Sequence, residues 1–111
     1  MKITHPNGSR SVDVTHKWKI VWDDVVENDP HHVKFWLTHS HNPPYRNPVR
    51  LTEEINIHER DHVEIDGQHF EHLPTGGGYR IWAMRVDEDP GLQPAPISES
   101  HELEIKNEKH E

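Results

Sequence analysis

Trp18, Ile20 and Trp22 alternate with Lys17, Lys19 and Val21, and Val33, Phe35 and Leu37 alternate with Lys34, Trp36 and Thr38. A two-residue apolar period is that of a pleated strand with one buried face, so both runs predict β-strands. The most strongly punctuated stretch is 73–86, a Pro/Gly turn followed by eight residues of strand-forming type. Gly76, Gly77 and Gly78 allow φ > 0, and Tyr79, Ile81 and Ala83 then alternate with Arg80, Trp82 and Met84. This predicts a central strand of an antiparallel sheet, entered from a tight loop, with the other strands as its partners.

The remaining pattern is consistent with that frame. Residues 2–5 form a short first strand stopped by Pro6-Asn7-Gly8-Ser9, and Val49, Leu51, Ile55 and Ile57 share one parity. Asp66-Gly67 predicts a hairpin turn, after which Phe70 points inward. The last strand is expected over 97–105, where Leu103 and Ile105 are in phase. Between these runs lie an acidic loop at 23–30, a polar loop at 39–48 with three prolines, and a second acidic, proline-rich loop at 87–96. The expected fold is an all-β, Ig-like or fibronectin III-like antiparallel β-sandwich of about seven strands, one domain over 1–106 with a polar tail at 107–111.

Composition narrows the picture. Of the 111 residues, 31% are hydrophobic and 29% charged, so the core must be thin and lean on four Trp, two Tyr and two Phe. With no cysteine, the redox compartment stays open. A net charge of −8 argues against sequence-independent nucleic-acid binding and against anionic membrane surfaces. Twelve histidines make that charge pH-dependent, since protonating all of them would carry it from −8 to +4. No apolar run is long enough to span a bilayer, and Met1-Lys2-Ile3-Thr4 does not open a signal peptide.

In this order, Ile3-Thr4-His5-Pro6-Asn7-Gly8, Trp18-Lys19-Ile20-Val21-Trp22, Val33-Lys34-Phe35-Trp36-Leu37, Gly67 with Phe70 and Leu73-Pro74, Gly78-Tyr79-Arg80-Ile81, and Ile97-Ser98-Glu99 before Leu103-Glu104-Ile105 form one series of core and turn positions. Over residues 1–106 the series resembles the N-terminal domain of fungal cell-wall β-1,6-glucan assembly proteins and the related Ser/Thr-rich, GPI-anchored membrane proteins. The resemblance implies a secreted Ig-like module of the cell wall or extracellular space, without a catalytic site. Its expected partners are cell-wall polysaccharide or an extracellular protein. The chain departs from that family in lacking a Ser/Thr-rich stalk and in its abundance of histidine.

In an up-and-down sandwich the loops sort to two poles, and the histidines with them. One pole would gather His31, His32, His58 and His62 beside Asp23, Asp24, Glu27, Asp29, Asp87, Glu88 and Asp89, and the other His16, His39, His41, His69 and His72. Imidazole suits Cu(II), Zn(II) or Ni(II), and neighbouring carboxylates could complete a shell. His39 and His41 with His72 are the first candidate metal set, and His31 and His32 with His58 or His62 the second. The plainer reading is a solvated, histidine-biased surface. A Cu- or Zn-binding protein for sequestration or transport is the alternative function.

His58-Glu59-Arg60-Asp61-His62 matches the zinc-protease pattern H-E-x-x-H, which needs both histidines one turn apart on a helix. The flanks Ile55, Ile57, Val63 and Ile65 are β-branched with period two, which opposes a helix. Gly76-Gly77-Gly78 opens a strand instead of a helix and so lacks the N-terminus of a phosphate cradle. Trp18 and Trp22 share the parity of Ile20 and are expected in the core. Trp36 and Trp82 have the parity opposite to Phe35, Leu37, Tyr79 and Ile81, which predicts an outward pair on neighbouring strands: a candidate ligand-binding patch, or simple cross-strand packing.

Overall fold

A computed structural model of the chain describes residues 1–39, 48–71, 73–88 and 96–108. Among them there is no helix, and ten strands build two sheets. The smaller sheet joins β1 (Lys2–His5), β3 (Trp18–Asp23) and β7 (His62–Ile65) in the order β1-β3-β7. The larger runs β2-β10-β8-β4-β5, from β2 (Val12–Asp13) and β10 (Leu103–Lys106) through β8 (Gly76–Arg85) and β4 (His32–His39) to β5 (Val49–Arg50). Two short segments extend this sheet, β6 (Ile55–Asn56) against β4 and β9 (Ser98–Glu99) against β8. The expected all-β sandwich is therefore what the chain forms. All pairings are antiparallel except β2 with β10, which is parallel.

The core forms because the period-two runs face one another. Ile3, Ile20, Trp22, Val63 and Ile65 of the smaller sheet meet Phe35, Leu37, Tyr79, Ile81, Ala83, Leu103 and Ile105 of the larger, all buried. Trp22 and Phe35 join the layers with ring centroids 5.2 Å apart. Burying side chains of this size stabilises the fold by about 1.5–3 kcal/mol each relative to exposure. Trp18, also expected inside, is half-buried at the margin of this core.

Strand β8 is longer than its apolar alternation suggests. It begins at Gly76, with Gly76 and Gly78 at positive φ. The expected last strand is divided, because Ser100 takes over a place in the ladder. Its N–H donates to Ile81 O at 2.9 Å, and its hydroxyl accepts from Ile81 N at 2.8 Å. No hairpin forms at Asp66-Gly67, since β7 pairs with β3 and not with β8. Gly67 is needed for a different reason: a Cβ there would lie 2.4 Å from Thr15 O, where two backbone segments cross. Asn107, expected at the start of a polar tail, is buried. Its amide donates to Phe70 O and Leu73 O, both at 2.7 Å, and accepts from Phe70 N at 2.9 Å.

Candidate functional site

Seven consecutive cross-strand pairs join β4 to β8, and this register places Trp36 directly opposite Trp82. Their neighbours on either side in sequence, Phe35, Leu37, Ile81 and Ala83, are buried in the core, so alternation turns both indoles outward. Register extends the row across four strands, with Arg50 opposite Trp36 and Glu99 opposite Trp82. Lys34 lies opposite Met84 and Thr38 opposite Arg80 on the same side. Met84 is fully buried yet lies outside the inner core cluster. The two tryptophans are half-buried. The expected outward pair is thus formed.

The polar groups around the pair are engaged with one another. Trp82 Nε1 donates to Glu99 Oε2 at 2.6 Å, and Arg80 Nη1 reaches Glu99 Oε1 at 3.4 Å and Ser100 O at 2.9 Å. Arg50 Nη2 donates to Glu53 Oε1 at 3.2 Å. The exception is Trp36 Nε1, which is buried with no hydrogen-bond partner among the described residues. An indole donor left unpaired in this way retains a cost of about 1–3 kcal/mol. Glu99, Arg80 and Arg50 were not anticipated as part of this face. The parity of Arg80 with Trp82 is legible in sequence, but the cross-strand position of Glu99 depends on the interruption at Ser100.

The histidines are held differently. Of the second metal set, His31 and His58 meet with rings stacked at 4.2 Å and 24°. The His58 ring bonds Asp29 O through Nε2 at 2.9 Å, and Ile57 N donates to His31 O at 3.0 Å. Asp29 in turn accepts from Val26 N at 2.9 Å and from the Met1 α-ammonium at 2.5 Å. The ammonium above all, then the Val26 amide, holds the Asp29 carboxyl below the ordinary aspartate range. His32 opens β4 opposite Asn56, and His62 Nδ1 bonds Asp61 Oδ1 at 2.7 Å, which lowers the Asp61 carboxyl. A groove of about 650 Å³ runs beside these side chains, with Trp22, His58, Arg60, Asp61 and His62 among its walls.

Of the first metal set, His39 stacks on Tyr79 at 4.2 Å and 13°, and His41 and His72 lie outside the described residues. No three His, Asp or Glu side chains among the described residues gather as a metal shell would. Residues 57–59 form a turn and His62 opens β7, so the H-E-x-x-H pattern is not helical. No helix among the described residues is long and apolar enough to cross a membrane. Comparison with family models, with curated proteins and with solved structures finds no match for this chain.

Proposed function

We propose that the chain is a secreted, non-enzymatic Ig-like binding module of the cell wall or extracellular space, and that it takes polysaccharide on the outer face of its larger sheet. The carrying observation is the Trp36–Trp82 pair, two indoles side by side on a rigid β4–β8 ladder. The C–H face of a pyranose ring is apolar and flat enough to rest on an indole, while its hydroxyls seek polar groups at the margin. Arg50, Arg80 and Glu99 supply such a margin.

Two features support the Ig-like part of this reading. The strand order, with first, third and seventh strands in one sheet and the second running parallel to the last in the other, fits an Ig-type division of strands. Near the start of β8, Tyr79 Oη donates to Pro74 O, five residues upstream, in the manner of a tyrosine corner.

The test is retention of the purified chain on insoluble β-glucan and on chitin. Trp36→Ala and Trp82→Ala should each lower the retained fraction at least about tenfold, the loss expected when 1.4 kcal/mol or more of stacking is removed. Circular dichroism should show both variants folded at the assay temperature. Equal retention of variants and parent, or no retention of the parent on either polymer, would overturn the reading.

A further inference from the structure

The smaller sheet ends in a strand whose outer edge is unused among the described residues. In the β3–β7 ladder Ile20 lies opposite Val63 and Trp18 opposite Ile65, and Trp22 N donates to Asp61 O at 3.0 Å. Antiparallel pairing alternates, so residues 61, 63 and 65 turn their backbone groups toward β3, and His62 and Glu64 turn theirs away. β7 is the last strand in its sheet, and no described residue bonds those outward groups. Beside this edge lies a groove of about 410 Å³, bounded on its far side by the segment 51–55 that leads from β5 to β6. Its apolar lining is Leu51, Ile55, Val63 and Ile65, and its acidic rim is Glu53, Glu64 and Asp66.

We propose that this edge is a docking site for an extended, cationic segment of a partner protein, which would add to the smaller sheet as a fourth strand. A strand occupies about 4.8 Å laterally, about 10 Å between layers and about 3.3 Å per residue, so the groove holds two to three residues of it. The N–H and C=O groups of His62 and Glu64 would pair with its backbone, and alternate side chains would give specificity. Inward positions would be apolar, against Leu51 and Ile55. Outward positions would be Lys or Arg, across from Glu64 and near Glu53 and Asp66. The present partners of two of these carboxylates are weak competitors: Lys17–Glu64 at 3.5 Å and Arg50–Glu53 at 3.2 Å are exposed pairs that a ligand cation can replace. The same rim selects against a second copy of the chain, since edge-to-edge pairing through β7 would set acidic rims against each other.

The probe is acetyl-(Val-Lys)3-amide, titrated into the isotope-labelled chain in low salt. The expected result is saturable movement of the His62 and Glu64 amide resonances, at least about fivefold weaker at 0.5 M NaCl, and none with acetyl-(Val-Glu)3-amide. Glu64→Pro removes an outward N–H and leaves the β3 ladder in place, so it should abolish binding; Glu64→Lys, a change on an exposed side chain, should weaken it at least about tenfold. Trp36→Ala should leave it unchanged, which separates this site from the proposed glycan face. Binding indifferent to both Glu64 variants, no movement on β7, or a dimer in sedimentation that Glu64→Pro dissolves would each overturn the proposal.

Discussion

The tryptophan row on the larger sheet and the histidine pole around Asp29 carry the two residue types that set this chain apart, and they are positioned by different physics. Trp36 and Trp82 are placed by register: seven consecutive ladder pairs fix both backbones, and alternation fixes the direction of the side chains. His31, His58 and His62 lie at strand ends and in turns, where each ring is placed by what it bonds or stacks on, the Asp29 carbonyl, a neighbouring ring or the Asp61 carboxylate. A ladder leaves its outward side chains available to a ligand. A turn consumes its side chains in holding itself together, and abundant imidazole at one pole therefore need not amount to a shared metal shell.

The largest expected effect tests whether the two tryptophans are as unlike as their hydrogen bonding makes them. Trp82→Phe removes a donor that bonds a carboxylate, whereas Trp36→Phe removes a buried donor without a partner among the described residues. Both lose similar ring area, so in urea denaturation Trp82→Phe should cost about 1–2 kcal/mol more than Trp36→Phe. Equal losses would mean that the Glu99 bond contributes nothing and that the pair is held by packing alone.

At the histidine pole the expected differences are smaller. His58→Ala breaks the bond to Asp29 O as well as the ring stack, and His31→Ala breaks only the stack. His58→Ala should therefore be the more destabilising, by about 1 kcal/mol in the same measurement. If His31→Ala costs as much, the stack and not the hydrogen bond organises this pole.

These contrasts also mark what could be read from the chain in advance. Trp18, Ile20 and Trp22, and then Val33 to Thr38, announce their strands because alternation is local, and the outward parity of Trp36 and Trp82 follows from the same rule. The direct opposition of those two residues depends on the register between strands more than forty residues apart, which no local pattern encodes. Side chains that replace backbone were equally hidden. Ser100 reads as one more strand residue and Asn107 as the start of a tail, until the Ile81 amide and the Phe70 and Leu73 carbonyls are seen converging on them. Asp66-Gly67 has turn composition, but its glycine serves a crossing with Thr15. The histidine poles were half legible: loop sorting brings His31 and His58 together, and ring stacking then sets their geometry.

The smallest expected effect is electrostatic and has a definite sign. The Asp29 carboxyl is held below its ordinary value in the folded chain, mainly by the Met1 ammonium, so its charge favours folding. That contribution is fully present above the unfolded-state value near 3.8 and is lost as pH falls through the lower folded-state value. Asp29→Asn keeps an acceptor for the Val26 amide but carries no charge, and so lacks this part of the acid response. Urea midpoints compared at about pH 5 and about pH 3 should therefore fall further for the parent than for Asp29→Asn, by less than about 1 kcal/mol once converted to stability. Trp36→Phe replaces no titratable group and lies in the larger sheet, so it should retain the parent's acid response. If Asp29→Asn also retained it in full, the acid sensitivity would belong to other carboxylates, and the pole would be held by its stacked rings and backbone bonds instead of by charge.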